Sequence, residues 1–64
     1  MKIQGISYNV NWKNFKVGTS FFVPCLDDSS AREEVLRVTK RLKMQVFIKS
    51  VIEEGVKGLR IWRI

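Results

Sequence analysis

A chain of 64 residues has room for one small domain, residues 1–64, because folded chains of this size bury only about 60% of the surface that the unfolded chain exposes. The sequence is 45% hydrophobic and 28% charged, which excludes wholesale disorder, while its small core excludes a large substrate cleft. Its 12 Lys and Arg against 6 Asp and Glu give a net charge of +6. Such a charge attracts nucleic acids, acidic protein surfaces or anionic membrane faces.

The first segment, Ile3 to Val10, is predicted to be a strand, because it places apolar residues at alternate positions with polar residues between them, the period of a half-buried strand. Its alternating apolar positions are Ile6, Tyr8 and Val10. The next segment, Asn11 to Lys16, is predicted to be a connection that its aromatic residues, Trp12 and Phe15, hold against the core.

A turn at Gly18 leads to a second strand over Thr19 to Val23, since this segment is rich in β-branched and aromatic residues. Pro24 has no N–H to donate to a central ladder, so the strand is expected to end there. Leu26 to Ser29 then links this strand to a helix.

Ser30 and Glu33 have the spacing of a capping box, in which each side chain satisfies a backbone donor of the other residue, so the helix is predicted to begin at Ala31. Asp27 and Asp28 lie just before this start, where the helix dipole favours negative charge. We interpret them as capping residues rather than as an acid/base pair or metal ligands. The apolar positions form one narrow stripe that can lie on a sheet, and they are Ala31, Val35, Val38 and Leu42.

The segment after the helix, Gln45 to Glu53, has β-branched or aromatic residues at nearly all of its apolar positions and is predicted to be a strand. A glycine-bearing connection, Glu54 to Gly58, separates it from a final strand over Leu59 to Ile64. Strands joined so closely form an antiparallel hairpin. The predicted fold is therefore α+β, an antiparallel sheet with one helix packed on one face, in the order β-β-α-β-β.

Two blocks of sequence stand out on either side of the helix. The first has the pattern W-x-x-F-x-V-G-x-S-F-F-V-P from Trp12 to Pro24, and the second is R-I-W-R-I from Arg60 to Ile64. Together with the basic helix between them, they resemble a family of short, uncharacterised proteins encoded by bacteriophages, over roughly residues 12–64. The resemblance implies a phage origin and a stable fold, and it implies no particular reaction.

The residues that catalyse most reactions near neutral pH are missing or isolated. The chain has no His, the usual general base and the commonest metal ligand. Cys25 has neither a His to activate it nor a Cys-x-x-Cys partner, so we interpret it as a packing residue. Glu53 and Glu54 are interpreted as loop residues that aid solubility, and Gly55 and Gly58 as hairpin glycines, since no Walker lysine follows them. We predict that the chain is not an enzyme and uses no metal or cofactor.

The single cysteine also bears on the cellular compartment, because secreted domains of this size usually depend on disulfides. Met1 to Val10 lacks the apolar run of a signal peptide, and no stretch approaches the roughly 20 apolar residues of a membrane span. We therefore expect a cytoplasmic protein, in the host-cell cytoplasm if it is phage-encoded, with no membrane partner.

The helix offers the first candidate binding surface, a cationic band away from the apolar stripe. We call it the helix band, and its members are Arg37, Lys40, Arg41 and Lys43. Glu33, four residues before Arg37, is expected to neutralise it in part. Arg37 and Arg41 are also four residues apart, and a bound phosphate would relieve the repulsion between them. The alternative is an ordinary solvated face, which is at least as common for a run of charges.

The hairpin offers the second candidate surface. If its apolar residues Val46, Ile48, Leu59 and Ile61 point toward the helix, alternation sends the residues between them to the opposite face. Those residues are Phe47, Lys49, Arg60 and Trp62. Aromatic rings interleaved with cations on a sheet stack bases and hold phosphates in several single-strand binders. Two alternatives stay open, a second core in which Trp12, Phe15 and Tyr8 cover this face, and a contact with another subunit.

The leading hypothesis is a non-enzymatic accessory protein of phage type that binds DNA or RNA through basic residues with little sequence specificity. The principal rival is a modulator that docks on an acidic host protein with the same cations and an aromatic anchor. A structural component of the virion or of its packaging machinery is the third hypothesis. We also expect a homodimer, because so short a chain without a disulfide or metal commonly gains stability by self-association, and the strand ending at Ile64 is expected at an exposed edge.

Overall fold

The computed structural model describes residues 1–3 and 5–64 and shows an α+β fold. The strands are β1 (Lys2–Ile3), β2 (Ile6–Ser7), β3 (Ser20–Pro24), β4 (Val46–Glu53) and β5 (Val56–Arg63). An α-helix, α1, spans Asp28–Arg41, and a short 3-10 helix spans Trp12–Asn14. Within the described residues, neither helix has the length and apolar character needed to cross a membrane.

β5 is the central strand of a three-stranded sheet, with β3 and β4 paired antiparallel on its two sides. Ile61 lies directly opposite Phe21 of β3 and Ile48 of β4, so these three side chains share one face. α1 packs on that face, where Leu59 and Ile61 are fully buried against helix residues such as Val35. The predicted packing of one helix on one sheet face is confirmed, and the prediction that the last strand lies at an edge is wrong.

A two-residue turn joins β4 and β5 into the predicted antiparallel hairpin. Glu54 and Gly55 both have positive φ, 51° and 78°, as the central residues of a type I′ turn require. β5 therefore starts at Val56, directly after the turn. The predicted connection over Glu54 to Gly58 is wrong, because Gly58 and the two residues before it already pair with β4.

Asp27, rather than Ser30, caps the N-terminus of α1. Its carboxylate accepts hydrogen bonds from the backbone N–H groups of Ser29 and Ser30, at 3.0 and 3.3 Å, and from the Ser30 hydroxyl at 3.0 Å. These bonds, above all those from Ser30, hold the pKa of Asp27 below its usual value. The predicted capping role of Asp27 is confirmed. The predicted capping box of Ser30 and Glu33 is wrong, because α1 begins at Asp28 and Ser30 already lies in its first turn.

The buried stripe of α1 differs from the predicted stripe at one position. Ala31, Val35 and Val38 are buried as predicted, but Leu42 follows the last helical residue and is 41% exposed. Thr39 is the fourth buried residue of the helix instead, with 1% of its surface exposed. Its hydroxyl donates a hydrogen bond to the Val35 carbonyl at 2.9 Å. A polar residue is tolerated in this position because its own helix satisfies the hydroxyl.

The segment predicted as one strand, Ile3 to Val10, is instead a small hairpin followed by an irregular stretch. Ile3 of β1 pairs with Ile6 of β2, and Gly5 in the turn has a φ of 82°, a conformation that favours glycine. Gln4 lies outside the described residues. The hairpin lies beside α1, and its buried Ile3 joins the core. The element order is therefore β-β-β-α-β-β, with one strand more than predicted.

The connection over Asn11 to Lys16 is held to the core by its aromatic residues, as predicted. Phe15 is buried, and its ring contacts those of Phe21 and Trp12 edge to face, with centroids 4.9 and 5.9 Å away. Gly18, with a φ of 90°, supplies the predicted turn into β3. This aromatic cluster lies on the helix side of the sheet, because Phe21 shares a face with the buried residues of β5.

We expect Val38→Asp to unfold the protein and Leu42→Asp to leave it folded. Val38 is 5% exposed on the buried side of α1, so an aspartate there would bury an unpaired charge at a cost of about 3–5 kcal/mol. A domain of this size has a free energy of unfolding of only about 3–10 kcal/mol. Circular dichroism melting curves measure both variants, and an unshifted curve for Val38→Asp would contradict the orientation of the stripe.

Candidate nucleic-acid interface

The sheet face away from α1 carries the aromatic and cationic side chains that alternation along β4 and β5 predicts. Arg60 and Trp62 point to this side because their apolar neighbours in β5 point to the helix. Phe47 lies directly opposite Trp62, and Lys49 lies directly opposite Arg60. We call this surface the open face, and its members are Phe22, Phe47, Lys49, Glu53, Arg60 and Trp62.

Phe47 and Trp62 form an aromatic pair at one end of the open face. Their ring centroids are 5.7 Å apart and the ring planes are inclined by 41°. Phe47 is 55% exposed and Trp62 is half-buried. A cross-strand pair of this kind stabilises the sheet and still leaves ring surface in contact with solvent. The pair therefore offers a platform on which another planar ring can stack.

A row of two cations lies next to the aromatic pair. Lys49 and Arg60 are direct cross-strand neighbours, and like charges in this relation are destabilising. Phe22 of β3 is the neighbour of Arg60 on the other side. An anion bound above the row would remove the repulsion by charge-assisted hydrogen bonds to both cations. The sheet itself thus favours a phosphate or carboxylate ligand at this place.

Two hydrogen bonds hold the guanidinium of Arg60 in position. Its Nε donates to the hydroxyl of Ser20 at 3.0 Å, and a terminal N–H donates to the carboxylate of Glu53 at 3.2 Å. The prediction that Glu53 is a loop residue is wrong, because it is the last residue of β4. Its carboxylate offsets part of the positive charge, yet the guanidinium has five N–H donors and keeps some for a ligand.

Gly58 keeps the middle of the open face flat. A Cβ at this position would lie 2.3 Å from the carbonyl oxygen of Val23 and 2.8 Å from the ring of Phe22, so a side chain does not fit without a backbone shift. The ring of Phe22 lies next to the glycine and takes up that space. Gly58 lies in a strand of the β4–β5 hairpin, whereas Gly55 occupies its turn.

The alternative in which N-terminal aromatic residues cover the open face is wrong. Tyr8, Trp12 and Phe15 belong to or pack against the core between α1 and the sheet. The hydroxyl of Tyr8 reaches the edge of β3, where it donates to the carbonyl of Pro24 at 2.6 Å. The contact with another subunit stays a prediction.

The helix band lies on the opposite side of the molecule, because α1 buries its apolar stripe against the sheet. Arg37 pairs with Glu34, its Nε 3.1 Å from the carboxylate, so the predicted neutralisation by Glu33 is wrong. The hydrogen bonds of this pair lower the pKa of Glu34 and raise the pKa of Arg37. Lys40 and Arg41 lie in the last turn of α1, where the helix dipole favours cations.

The predicted site residues therefore fall on two separate surfaces. Lys43 follows the helix with a positive φ of 59° and an exposed side chain, and it stays with the helix band. The other three residues of this set are Arg37, Lys40 and Arg41. The hairpin set, Phe47, Lys49, Arg60 and Trp62, comes together on the open face. The helix and the sheet separate the two sets.

The sequence does not predict three residues of the open face and its surroundings, which are Phe22, Ser20 and Glu53. Alternation along the second predicted strand places Phe22 and Phe21 on opposite faces of the sheet. The position of Phe22 beside Arg60, however, depends on the pairing of β3 with β5. The same pairing brings the Ser20 hydroxyl to the guanidinium. Glu53 is missed because the neighbouring Glu54 and Gly55 favour a loop interpretation, although the strand predicted over Gln45 to Glu53 already includes it.

Cys25 is buried between β3 and α1. Burial, and after it the nearby carboxylate of Asp28, raises the pKa of the thiol, which disfavours the thiolate form that a nucleophile needs. Its interpretation as a packing residue is confirmed by its place in the core. Residues 1–3 and 5–64 hold no group of three or more His, Cys, Asp or Glu side chains placed to bind a metal ion.

Comparison with known proteins gives no indication of the function. No protein-family model, no curated protein and no solved structure matches the chain. Geometry and charge therefore decide between the open face and the helix band.

We expect Lys49→Gln to raise the free energy of unfolding by about 0.2–1 kcal/mol at low salt, because it removes one of two like charges that face each other. Lys13→Gln, the same charge change at an exposed lysine outside the sheet, is the matched control and is expected to have a smaller effect. Urea unfolding at a protein concentration too low for self-association measures both, and the gain should vanish at about 1 M salt, where charges are screened within about 3 Å. Equal effects of the two substitutions would contradict a local repulsion.

Proposed function

We propose that this protein binds single-stranded DNA or RNA through the open face, without catalysis and with little sequence specificity. One observation carries the proposal: the aromatic pair of Phe47 and Trp62 lies beside the like-charged pair of Lys49 and Arg60, on the sheet face opposite α1. The net charge of +6 supports it, because it draws polyanions to the whole molecule.

Each part of the open face has a role in this proposal. Bases stack on Trp62 and Phe47, and because every base has a π-face, this contact tolerates any sequence. The phosphates lie over Lys49 and Arg60, where they relieve the repulsion between the two cations. Phe22, on the far side of Arg60, offers a further ring to a neighbouring base.

The shape of the open face favours a single strand over a duplex. The major groove of B-DNA admits an α-helix or a two-stranded ribbon, whereas the open face belongs to a sheet of three strands. Aromatic side chains stack on bases that are splayed out, as they are in single strands. For a duplex the helix band is the better surface, although its Arg37 is already paired with Glu34.

One feature favours the rival hypothesis, docking on an acidic host protein. A groove near the β4–β5 turn is lined by apolar side chains that include the exposed Ile6, Leu26 and Val56. Exposed apolar patches rimmed by polar residues are typical of protein contacts, and the basic surface would steer an acidic partner. A structural role in a virion stays the third hypothesis, and no described feature favours it over these two.

Trp62→Ala is expected to weaken the binding of a fluorescein-labelled oligothymidylate by about 1–3 kcal/mol, because it removes one stacking ring. Fluorescence anisotropy at about 50 mM salt measures the affinity of the variant and of the wild-type protein. For the wild-type protein, log affinity should fall linearly with log salt, with a slope of about 0.7 for each phosphate neutralised. The variant should keep a cooperative melting curve, since the ring lies on the face away from the core.

Charge substitutions on the two surfaces are the control for this experiment. Lys49→Gln is expected to weaken binding more than Lys40→Gln, which removes the same charge from the helix band. A larger loss from Lys40→Gln would place the strand on the helix band. No binding to single-stranded DNA, RNA or duplex DNA at about 50 mM salt would make the nucleic-acid proposal wrong and favour the host-protein rival.

A further inference from the structure

The two outer edges of the three-stranded sheet differ in their protection. At the β3 edge, Pro24 has no N–H to offer, and the hydroxyl of Tyr8 donates to its carbonyl. At the β4 edge, the guanidinium of Arg32 donates to the carbonyl of Ile48 at 3.4 Å. In the described part of the chain, β5 is the sole partner strand of β4. The β4 edge can therefore accept another strand.

The register of β4 shows which of its backbone groups face this edge. The N–H of Ile64 donates to the carbonyl of Gln45, so the odd-numbered residues of β4 direct their backbone groups toward β5. The even-numbered residues direct theirs outward. With the carbonyl of Ile48 already bonded to Arg32, Ser50 and Ile52 present both N–H and C=O groups to a further strand.

We propose that two copies of the chain pair through their β4 edges, antiparallel, with the two-fold axis at Val51. Ser50 then lies opposite Ile52 of the partner subunit, and each such pair exchanges backbone hydrogen bonds in both directions. Val51 lies opposite its own copy. This interface goes beyond the proposed function and does not depend on nucleic-acid binding.

Charge complementarity selects this register. With the axis at Val51, Lys49 lies opposite Glu53 of the partner subunit, whose carboxylate also accepts a hydrogen bond from Arg60 of its own chain, so an opposite-charge pair crosses the interface on each side of the axis. If the axis passed through Lys49, the two copies of Lys49 would face each other and repel. If it passed through Ser50, Lys49 would face the uncharged Val51 of the partner subunit. A lysine on an edge strand ordinarily discourages pairing, but in this register it becomes half of an ion pair.

The exposed Ile52 gives an independent reason for pairing at this edge. Its side chain is 73% exposed, and alternation places it on the helix side of the sheet near the outer edge. A second strand along this edge would cover part of it. A domain of 64 residues without a disulfide or metal gains stability from such additional burial.

The paired sheets form one continuous surface. Because the two-fold axis is perpendicular to the sheet, both helices lie on one side and both open faces on the other. The two β5 strands are three strand spacings apart, about 14 Å. If the open face binds a single strand, the dimer presents two aromatic platforms side by side.

Cysteine substitutions at three successive positions of β4 test the register in which the two β4 strands pair. Val51→Cys is expected to form a disulfide-linked dimer of twice the chain mass under mild oxidation, because non-hydrogen-bonded pairs have Cα atoms about 4.5 Å apart. Lys49→Cys and Ser50→Cys are expected to stay monomeric on a non-reducing gel. The wild-type chain is the control, since Cys25 is buried. Crosslinking at position 49 or 50 in place of 51 would overturn the proposed register.

Charge reversal tests the interface without a crosslink and without nucleic acid. Lys49→Glu and Glu53→Lys are each expected to shift nuclease-treated protein from dimer to monomer mass in sedimentation equilibrium, and the double variant should restore the dimer. Circular dichroism checks that each variant is folded. A wild-type protein that stays monomeric at high micromolar concentration would overturn the proposal, whatever the outcome of the oligothymidylate titration.

Discussion

The alternation of side chains along β5 determines both the core and the exposed face of the sheet. β5 is paired on both sides, so β3 and β4 together fix its register. Leu59 and Ile61 are fully buried under α1, which places Arg60 and Trp62 on the other face. A slip of one residue would turn a guanidinium and an indole into the core and expose two aliphatic side chains. The same short segment therefore specifies both the core and the open face.

A core on one side of the sheet leaves the second face open to solvent. The one α-helix among the described residues and the aromatic connection around Phe15 both pack on the side of Leu59. The other face keeps an exposed Phe47 and the cross-strand neighbours Lys49 and Arg60. A sheet built for stability alone would place opposite charges at such positions. The unfavourable pair, of which Arg60 is bound to the carboxylate of Glu53, is therefore the main physical support for the proposal that an anion binds this face.

The sequence predicts the features that local patterns determine, and it misses those that depend on distant contacts. Alternation predicts both faces of the hairpin from Gln45 onward, and helical spacing predicts most of the buried stripe. The burial of Thr39, in contrast, depends on the sheet below it, and the position of Phe22 beside Arg60 depends on the β3–β5 register. The turn at Gly5 is missed because the predicted strand extends the alternation of Ile6, Tyr8 and Val10 back to Ile3, although Ile3 is out of phase with them. The resemblance to phage-encoded proteins stays a prediction.

Nitrogen–proton correlation NMR during a titration with oligothymidylate shows residue by residue whether a single strand binds the open face. We expect the indole N–H of Trp62 and the backbone amides of Phe47, Lys49 and Arg60 to shift together, while those of Lys40 and its neighbours in α1 do not. Shifts concentrated along α1, or no shifts at a concentration that saturates other single-strand binders, would contradict binding at the open face.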